Sequence, residues 1–492
     1  MYKPSAPDRV SRDLMQVVEK APLCVTPTLS VEVGWTPVDA AAQLRALPGL
    51  VLLDSSLPGG ETGRYSYLTA DPFLTLTSRG REIEITSTRG RRTLTGNPWN
   101  VLQDLLQRYG QEPIPGLPPF QGGVAGYFGY DLGRHLERVP ATAVDDLRLP
   151  DICVGFYDWV LSYDHELGRG WLVTTALAEG GLEKAVMRRE QVLRLLNQRP
   201  REASGRGVRP ETTAQTIMRS NIGRDAYMGA VRSAREYIGA GEIYQANLSH
   251  RLEGIWQGDP WSLYKRLREV SAVPYGAYLS FGGLRVLSAS PERFLRLDGR
   301  RVDTRPIKGT RPRGRTAEED RNLSGRLRAS EKDRAENLMI VDLLRNDLGR
   351  VCEVGSVHVP RLFGIDGYSH VWQMASTAVG DLRPGLDAVD LLRASFPGGS
   401  VTGCPKIRSM EVIEELEPVR RGPYCGSIGY IGFSGSMDTS IVIRTLVLTG
   451  DRVYLQVGGA VVADSDPEGE YEETLAKARP GLVALDAELQ EW

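Results

Sequence analysis

The chain of 492 residues is 41% hydrophobic and 25% charged, the balance of a soluble globular protein that buries a sizeable core. A formal net charge of −2 excludes a global electrostatic attraction to nucleic acid or to an anionic membrane, so any anion site has to be local. With no run of eighteen or more apolar residues, and with an MYKPSAPDRVSRDL stretch that lacks a signal-peptide core, the expectation is a cytoplasmic enzyme with no membrane or nucleic-acid partner.

The five cysteines, Cys24, Cys153, Cys352, Cys404 and Cys425, lack CxxC spacing and read as free thiols. Residues 50 to 97 alternate short apolar runs with Gly and Asn turns, as a β meander does. The Gly- and aromatic-rich PFQGGVAGYFGYDLG (119–133) suggests strands or turns where backbones approach closely. The text then loses its periodic apolar face, which divides the chain into an N-terminal region 1–200, a linker 201–224 and a C-terminal region 225–492. Asp225 is a candidate N-cap for a helix ending at Gly239 to Gly241, and the strand after it carries Gln245, Asn247 and Ser249 on one face. Strands joined by an Asp298-Gly299 turn follow, with Glu292 near a strand break and Lys308 at a strand end.

In SEKDRAENLMIVDLLRNDLG, Ser330 and Asp333 form a capping-box-like helix start, Leu338, Val341, Leu344 and Leu348 mark a buried face, and Asp333 and Glu336 share another. FPGGSVTGCPKIRSM (396–410) resembles a phosphate loop without being a Walker sequence; Pro405 at a helix start after the Gly-rich turn fits an anion site or a tight loop equally well. Arg444 ends the apolar strand TSIVIRT, QVGGAVVADSD holds a second glycine turn, and His370 is one of five histidines. In DSDPEGEYEETLAKARPG, Pro467 suits a first helical turn, and Glu470, Glu473 and Lys477 fall on one face. Two helices that each offer paired carboxylates fit either a hard cation such as Mg²⁺ or hydrated Glu/Lys faces.

The segment DTRPIKGTRPRG (303–314) poses a sharper question. Of 60 Lys+Arg only eight are Lys, which leaves 52 Arg, yet a single Lys308 sits between Arg305, Arg311 and Arg313. Arg stays charged, whereas Lys crowded by cations can lose its proton and act as a nucleophile. A solvated basic turn accounts for the same residues. A nucleic-acid-binding loop would need interleaved aromatics or a wider basic surface, and neither is evident.

Taken in order, SPERF, PIKGT, AENLMIVDLLRNDLGRV, FPGGSVTGCPK, PYCGSIGY and EYEETLAKA resemble the chorismate-utilising enzymes, strongly over residues 225 to 485 and more weakly before them. The resemblance implies an α/β (α+β) sandwich of two large antiparallel sheets with helices outside. It implies Mg²⁺ on Glu336 and Glu473, with Asp333 and Glu470 acting through water, and binding of the chorismate carboxylates by Thr310, Tyr424, Arg444, Gly459 and Lys477. Gln245, Thr402, Gly403, Lys406, Gly426 and Gly458 complete the implied substrate-binding set; Glu292 matches the general acid and His370 an active-site histidine. Where isochorismate and salicylate synthases carry a water-activating Lys, this chain has Gln245, and where anthranilate synthases have Ala it has Lys308. The implied activity is therefore amination of chorismate at C4 through a Lys308 adduct, as in aminodeoxychorismate synthases of the p-aminobenzoate route, with the flanking arginines keeping Lys308 neutral. Ammonia would come from a separate glutaminase subunit. The alternative is anthranilate synthase chemistry, although VLLDSS has Asp54 where the tryptophan-binding motif of those enzymes has Glu.

Overall fold

The computed structural model describes residues 28–57, 62–177, 181–198, 216–368 and 371–490. Among these, two sheets of thirteen and twelve strands carry the architecture. The named strands pair antiparallel except where Thr216–Ser220 runs parallel to Ala487–Gln490. Each sheet mixes early and late strands: Leu50–Asp54 pairs with Tyr275–Phe281 in the first, and Gly123–Phe128 with Ser427–Gly432 in the second. The two sequence regions thus share both sheets. Most of the proposed linker lies outside the described residues, and its end, Thr216–Ser220, is a strand.

The period-two alternation of strands decides the layering. Along Leu50–Asp54, Val51 points into a cluster with Tyr67, Tyr127, Ala277, Ile428 and Tyr430, which joins the inner faces of the two sheets. Leu50 and Leu52 point the other way, against the helices Pro37–Leu44, Pro260–Val270 and Pro467–Leu485. The outer face of the second sheet packs against Pro98–Leu106 and Ala388–Ser395 in the same manner. The fold is the expected sandwich with helices outside. The run read as one meander divides: Leu50–Asp54 and Tyr65–Thr69 join the first sheet, while Leu74–Arg79, Glu82–Ser87 and Gly90–Thr95 form a meander in the second.

Two local expectations need correction. The helix Arg224–Gly239 is capped by Gly223, leaving Asp225 in its first turn, where its charge still favours the dipole. Leu338 is 51% exposed, because the buried side of Glu331–Gly349 runs through Asn337, Ile340, Val341, Leu344 and Leu348. Among the described residues no helix is long and apolar enough to cross a membrane.

His250 ties the strand Gln245–Ile255 to its neighbours. Its ring, buried, stands 2.8 Å from the hydroxyls of both Ser220 and Thr474, and burial pushes its pKa down to about 4. The folded state resists protonation that the unfolded chain accepts near 6.5, so this stabilisation is complete above that value and is lost as pH falls to about 4. Urea unfolding from pH 7 to pH 4 should reveal a loss on the order of 3 kcal/mol in the wild type that is absent in His250→Gln; parallel pH dependences would reject this account.

Candidate active site

Glu292 lies where the chain leaves the strand Leu284–Ser290 and enters Arg293–Asp298. Its carbonyl accepts from Ile441 N–H, and its buried carboxyl accepts from the Ser400 hydroxyl at 2.6 Å, with the backbone of Ile307 also pulling its pKa down. Burial pushes the carboxyl up to about 7 against the pull of Ser400, Lys308 and Arg444. Arg444, at positive φ, is held below its usual range by the same desolvation, which Glu292 opposes.

Lys308 stands on the strand Ile307–Pro312, whose ladder slips between Ile307 and Thr310. The irregularity needs Gly309, at φ 84°, where a Cβ would stand 2.9 Å from the Asp333 carboxyl and 2.8 Å from Leu327. Burial pushes the Lys308 ammonium below its usual pKa. Glu336, Glu292 and Glu473 oppose this, and Lys477 adds to it. The flanking arginines do not supply that repulsion: Arg305 is paired with Asp366 at 2.7 Å, Arg311 with Asp333 at 2.7 Å and Arg313 with Asp320 at 2.6 Å. The like charge beside Lys308 is Lys477, which arrives from a distant helix.

The carboxylates come from two helices. Burial raises Glu336, with Lys308 and Lys332 pulling it down. Partial desolvation pushes the exposed Glu473 up, but Lys477 at 2.7 Å, helped by Lys308 and Lys332, outweighs it and leaves the carboxyl below its usual range. Glu470 is buried and raised by desolvation; Ser465 donates to its Oε1 at 2.6 Å, while Oε2 is buried without a partner. Lys477 also donates to the Gly458 carbonyl at 2.9 Å. A Cβ at Gly459 would lie 2.9 Å from that free Glu470 oxygen, and one at Gly458 would lie 2.9 Å from the Tyr424 hydroxyl. The two glycines keep a floor open between the acidic helix and Tyr424.

Gln245 is fully buried with neither amide atom satisfied, opposite Cys404 in the ladder. The Gln245 carbonyl lies where a Cβ at Gly403, φ 150°, would stand, and Thr402 turns its hydroxyl onto the Gly398 carbonyl at 3.0 Å while its own carbonyl accepts from Asn247 N–H. Gly426 lets its strand approach Phe128. Two residues expected at the substrate are engaged or placed differently. Lys406 donates to Asp347 at 2.7 Å and to the Ser395 carbonyl at 2.8 Å, a buried pair that anchors the start of Lys406–Leu416. Thr310 is exposed, and His370 lies outside the described residues.

Sequence reasoning missed Ser400 and Lys332. Lys332 precedes Glu336 by four positions, the spacing of an ion pair on a helix face. Ser400 lies inside a quoted motif, but its partner is 108 positions away. A separate cavity of about 620 Å³ lies between the sheets, lined by Asp54, Tyr275, Arg293 and Asp438 among others, none of them in the Lys308 cluster. Asp54 is held there by Arg268 at 2.6 Å and Tyr264 at 3.0 Å.

Among the described residues no group of three or more His, Cys, Asp or Glu converges as a ready metal cage. Glu336, Glu473 and the unpartnered oxygen of Glu470 still fit a hard divalent cation by donor type. In the structure Lys308, Lys332 and Lys477 meet their charge.

The chain matches the family of chorismate binding enzymes over residues 62–482 and belongs to it, and its two-sheet sandwich agrees with that family. It is 41% identical over 475 residues to aminodeoxychorismate synthase component 1 of Salmonella typhimurium, covering 94% of this chain and 99% of the relative. It is also 41% identical over 476 residues to anthranilate synthase component 1 of Synechocystis sp., covering 92% and 94%. The crystal structure of anthranilate synthase component I from Streptococcus pneumoniae superposes with a TM-score of 0.76 at 31% identity, over 86% of this chain and 93% of that one.

The Lys308–Lys477 repulsion can be measured directly. Labelling of the Lys308 peptide by an amine-reactive reagent, followed by mass spectrometry against pH, should give a midpoint below the ordinary lysine value of 10.5. Lys477→Met should move that midpoint upward, since it removes the like charge and frees Glu473. No move would show that burial alone sets the Lys308 amine, and a downward move would reject the repulsion outright.

Proposed function

We propose that this chain is component I of an aminodeoxychorismate synthase, a cytoplasmic enzyme that converts chorismate and ammonia to 4-amino-4-deoxychorismate on the route to p-aminobenzoate and folate. The observation that carries this reading is the pairing in one site of Lys308, biased toward the neutral amine, with Glu292, whose carboxyl at about 7 still holds a proton near neutrality. A neutral amine is what a nucleophile needs and a protonated carboxyl is what a departing hydroxyl needs.

On this reading Arg444, Lys477 and the open backbone at Gly458 and Gly459 hold the substrate carboxylates. The Lys308 amine bonds to ring C2, the double bond shifts, and the C4 oxygen leaves as water with the Glu292 proton. Ammonia then bonds to C4, the double bond returns, and the C2–N bond to Lys308 breaks, restoring the amine. A Mg²⁺ ion held by Glu336 and Glu473, with Glu470 and Asp333 behind them, would neutralise and orient a substrate carboxylate. The buried, unpartnered amide of Gln245 offers no base to activate water, which favours amination over hydration.

Relatives of both kinds are named component 1, which supports a second subunit. No Cys in a GxCxG-type elbow occurs in this chain to hydrolyse glutamine. Anthranilate synthase chemistry, in which ammonia adds at C2 and pyruvate leaves, is the second reading, favoured by the equal identity to the Synechocystis protein. Lys308 separates the two.

Product analysis with chorismate, Mg²⁺ and ammonium chloride should give 4-amino-4-deoxychorismate, and glutamine should not replace ammonium for the isolated chain. Lys308→Arg keeps the charge without a dissociable amine and should lower this product at least about a hundredfold; wild-type rates in that variant would make Lys308 an ordinary anion contact. Glu336→Gln and Glu473→Gln should each cripple turnover and weaken Mg²⁺ binding measured by calorimetry. Unchanged Mg²⁺ affinity in both would remove the metal from these carboxylates.

A further inference from the structure

We propose that Ser400 is a positioning residue for Glu292: its hydroxyl, donated to Oε1 at 2.6 Å, fixes the rotation of the carboxyl and leaves the other oxygen to carry the transferable proton. The inference rests on the proposed role of Glu292 as the acid. Ser400 and Glu292 are both buried, so the contact lies in a low-dielectric setting where a hydrogen bond is strengthened. Ser400 sits on the short 3₁₀ turn Gly399–Val401, and its position is fixed from both sides. Gly399 packs so closely on Leu343 that a Cβ would stand 2.6 Å from that side chain, and the Val401 carbonyl accepts from Arg421 at 3.0 Å. A hydroxyl anchored in this way acts as a fixed pin.

The backbone of Ile307, the residue before Lys308, also pulls the pKa of the carboxyl down. The carboxyl thus lies within electrostatic reach of the strand that carries Lys308, while Ser400 holds it from the turn Gly399–Val401. The other groups facing Glu292 are Lys308, Arg444 and the buried Cys425 thiol, and none of them donates to it as a neutral fixed hydrogen-bond partner. During turnover Ser400 keeps its own proton. It donates to one oxygen while the proton on the other passes to the departing C4 oxygen, and afterwards it donates to the carboxylate that remains. Because that bond strengthens as charge develops, it favours proton release, whereas burial alone would hold the proton too tightly.

The test is the pH profile of turnover at constant free ammonia, with an infrared titration of the Glu292 carboxyl band, identified by its absence in Glu292→Gln. In Ser400→Ala the band's midpoint and the alkaline limb should both rise by about one pH unit, and kcat should fall about tenfold with KM for chorismate unchanged. Ser400→Thr should restore the wild-type values. Should Ser400→Ala not fold, Ser400→Cys, a weak donor of similar size, reads the same shift. A folded variant whose midpoint and limb stay at the wild-type values, with or without loss of rate, would overturn the proposal. The infrared arm needs no turnover, so a wild-type enzyme that made anthranilate would refute the proposed function and leave this contact still measurable.

Discussion

The site hangs on one buried ion pair. Arg421 is almost wholly enclosed, and its guanidinium donates to Glu417 through Nε at 2.9 Å and through Nη2 at 2.6 Å, to the Val401 carbonyl at 3.0 Å and to the Asn247 carbonyl. Its carbon lies 4.7 Å from the centre of the Tyr130 ring and 5.7 Å from that of Tyr424. Glu417 in turn accepts from the Ser249 N–H at 2.8 Å and hydroxyl at 2.9 Å. An enclosed charge with any partner missing costs several kcal/mol, so these contacts stand or fall together. They join the strand of Gln245, the turn of Ser400 and the ring of Tyr424 at one point, and the rest of the site takes its coordinates from there.

Around that point the charges are interleaved. Lys477 touches Glu473 and the Gly458 carbonyl while it depresses Lys308; Lys308 in turn holds down Glu336 and Glu473. Each group is tuned by a neighbour on a different element, so the raised Glu292 carboxyl and the lowered Lys308 ammonium belong to the assembly. Desolvation moves both toward their neutral forms. On the proposed reading, this is how one buried environment prepares an acid and an amine side by side.

What was legible in the sequence was local. The Asp298-Gly299 turn, the Ser330 cap and Pro467 at its helix start all rest on neighbours within a few positions, and the structure has each of them. The motif resemblance carried the two-sheet fold, because the six segments keep their order. Contacts between distant positions were not legible. Nothing near Lys406 announces Asp347, 59 positions earlier, and nothing near Arg311 says that Asp333 takes its charge. A run of basic residues gives charge density but not the partners that quench it, which is why the arginines looked responsible for an effect that belongs to burial and to Lys477. Leu338 misled for a related reason: a helix covered on one and a half sides buries a stripe set by its neighbours, and the period alone does not fix its edge.

Equal identity to two kinds of chorismate enzyme means that overall sequence likeness does not choose between them. On the proposed reading the sandwich, the carboxylate helices and the glycine floor serve the shared task of holding one dicarboxylate ring. Selection has to rest on a few side chains that touch the reacting carbons, and on the proposed reading Lys308 does two things there. Its amine takes the C2 position that ammonia would need for the anthranilate reaction, and the double-bond shift it causes opens C4 to attack. A side chain without an amine leaves C2 free and C4 closed. One residue, made reactive by burial and by a lysine on another helix, would then set both where nitrogen enters and where it does not.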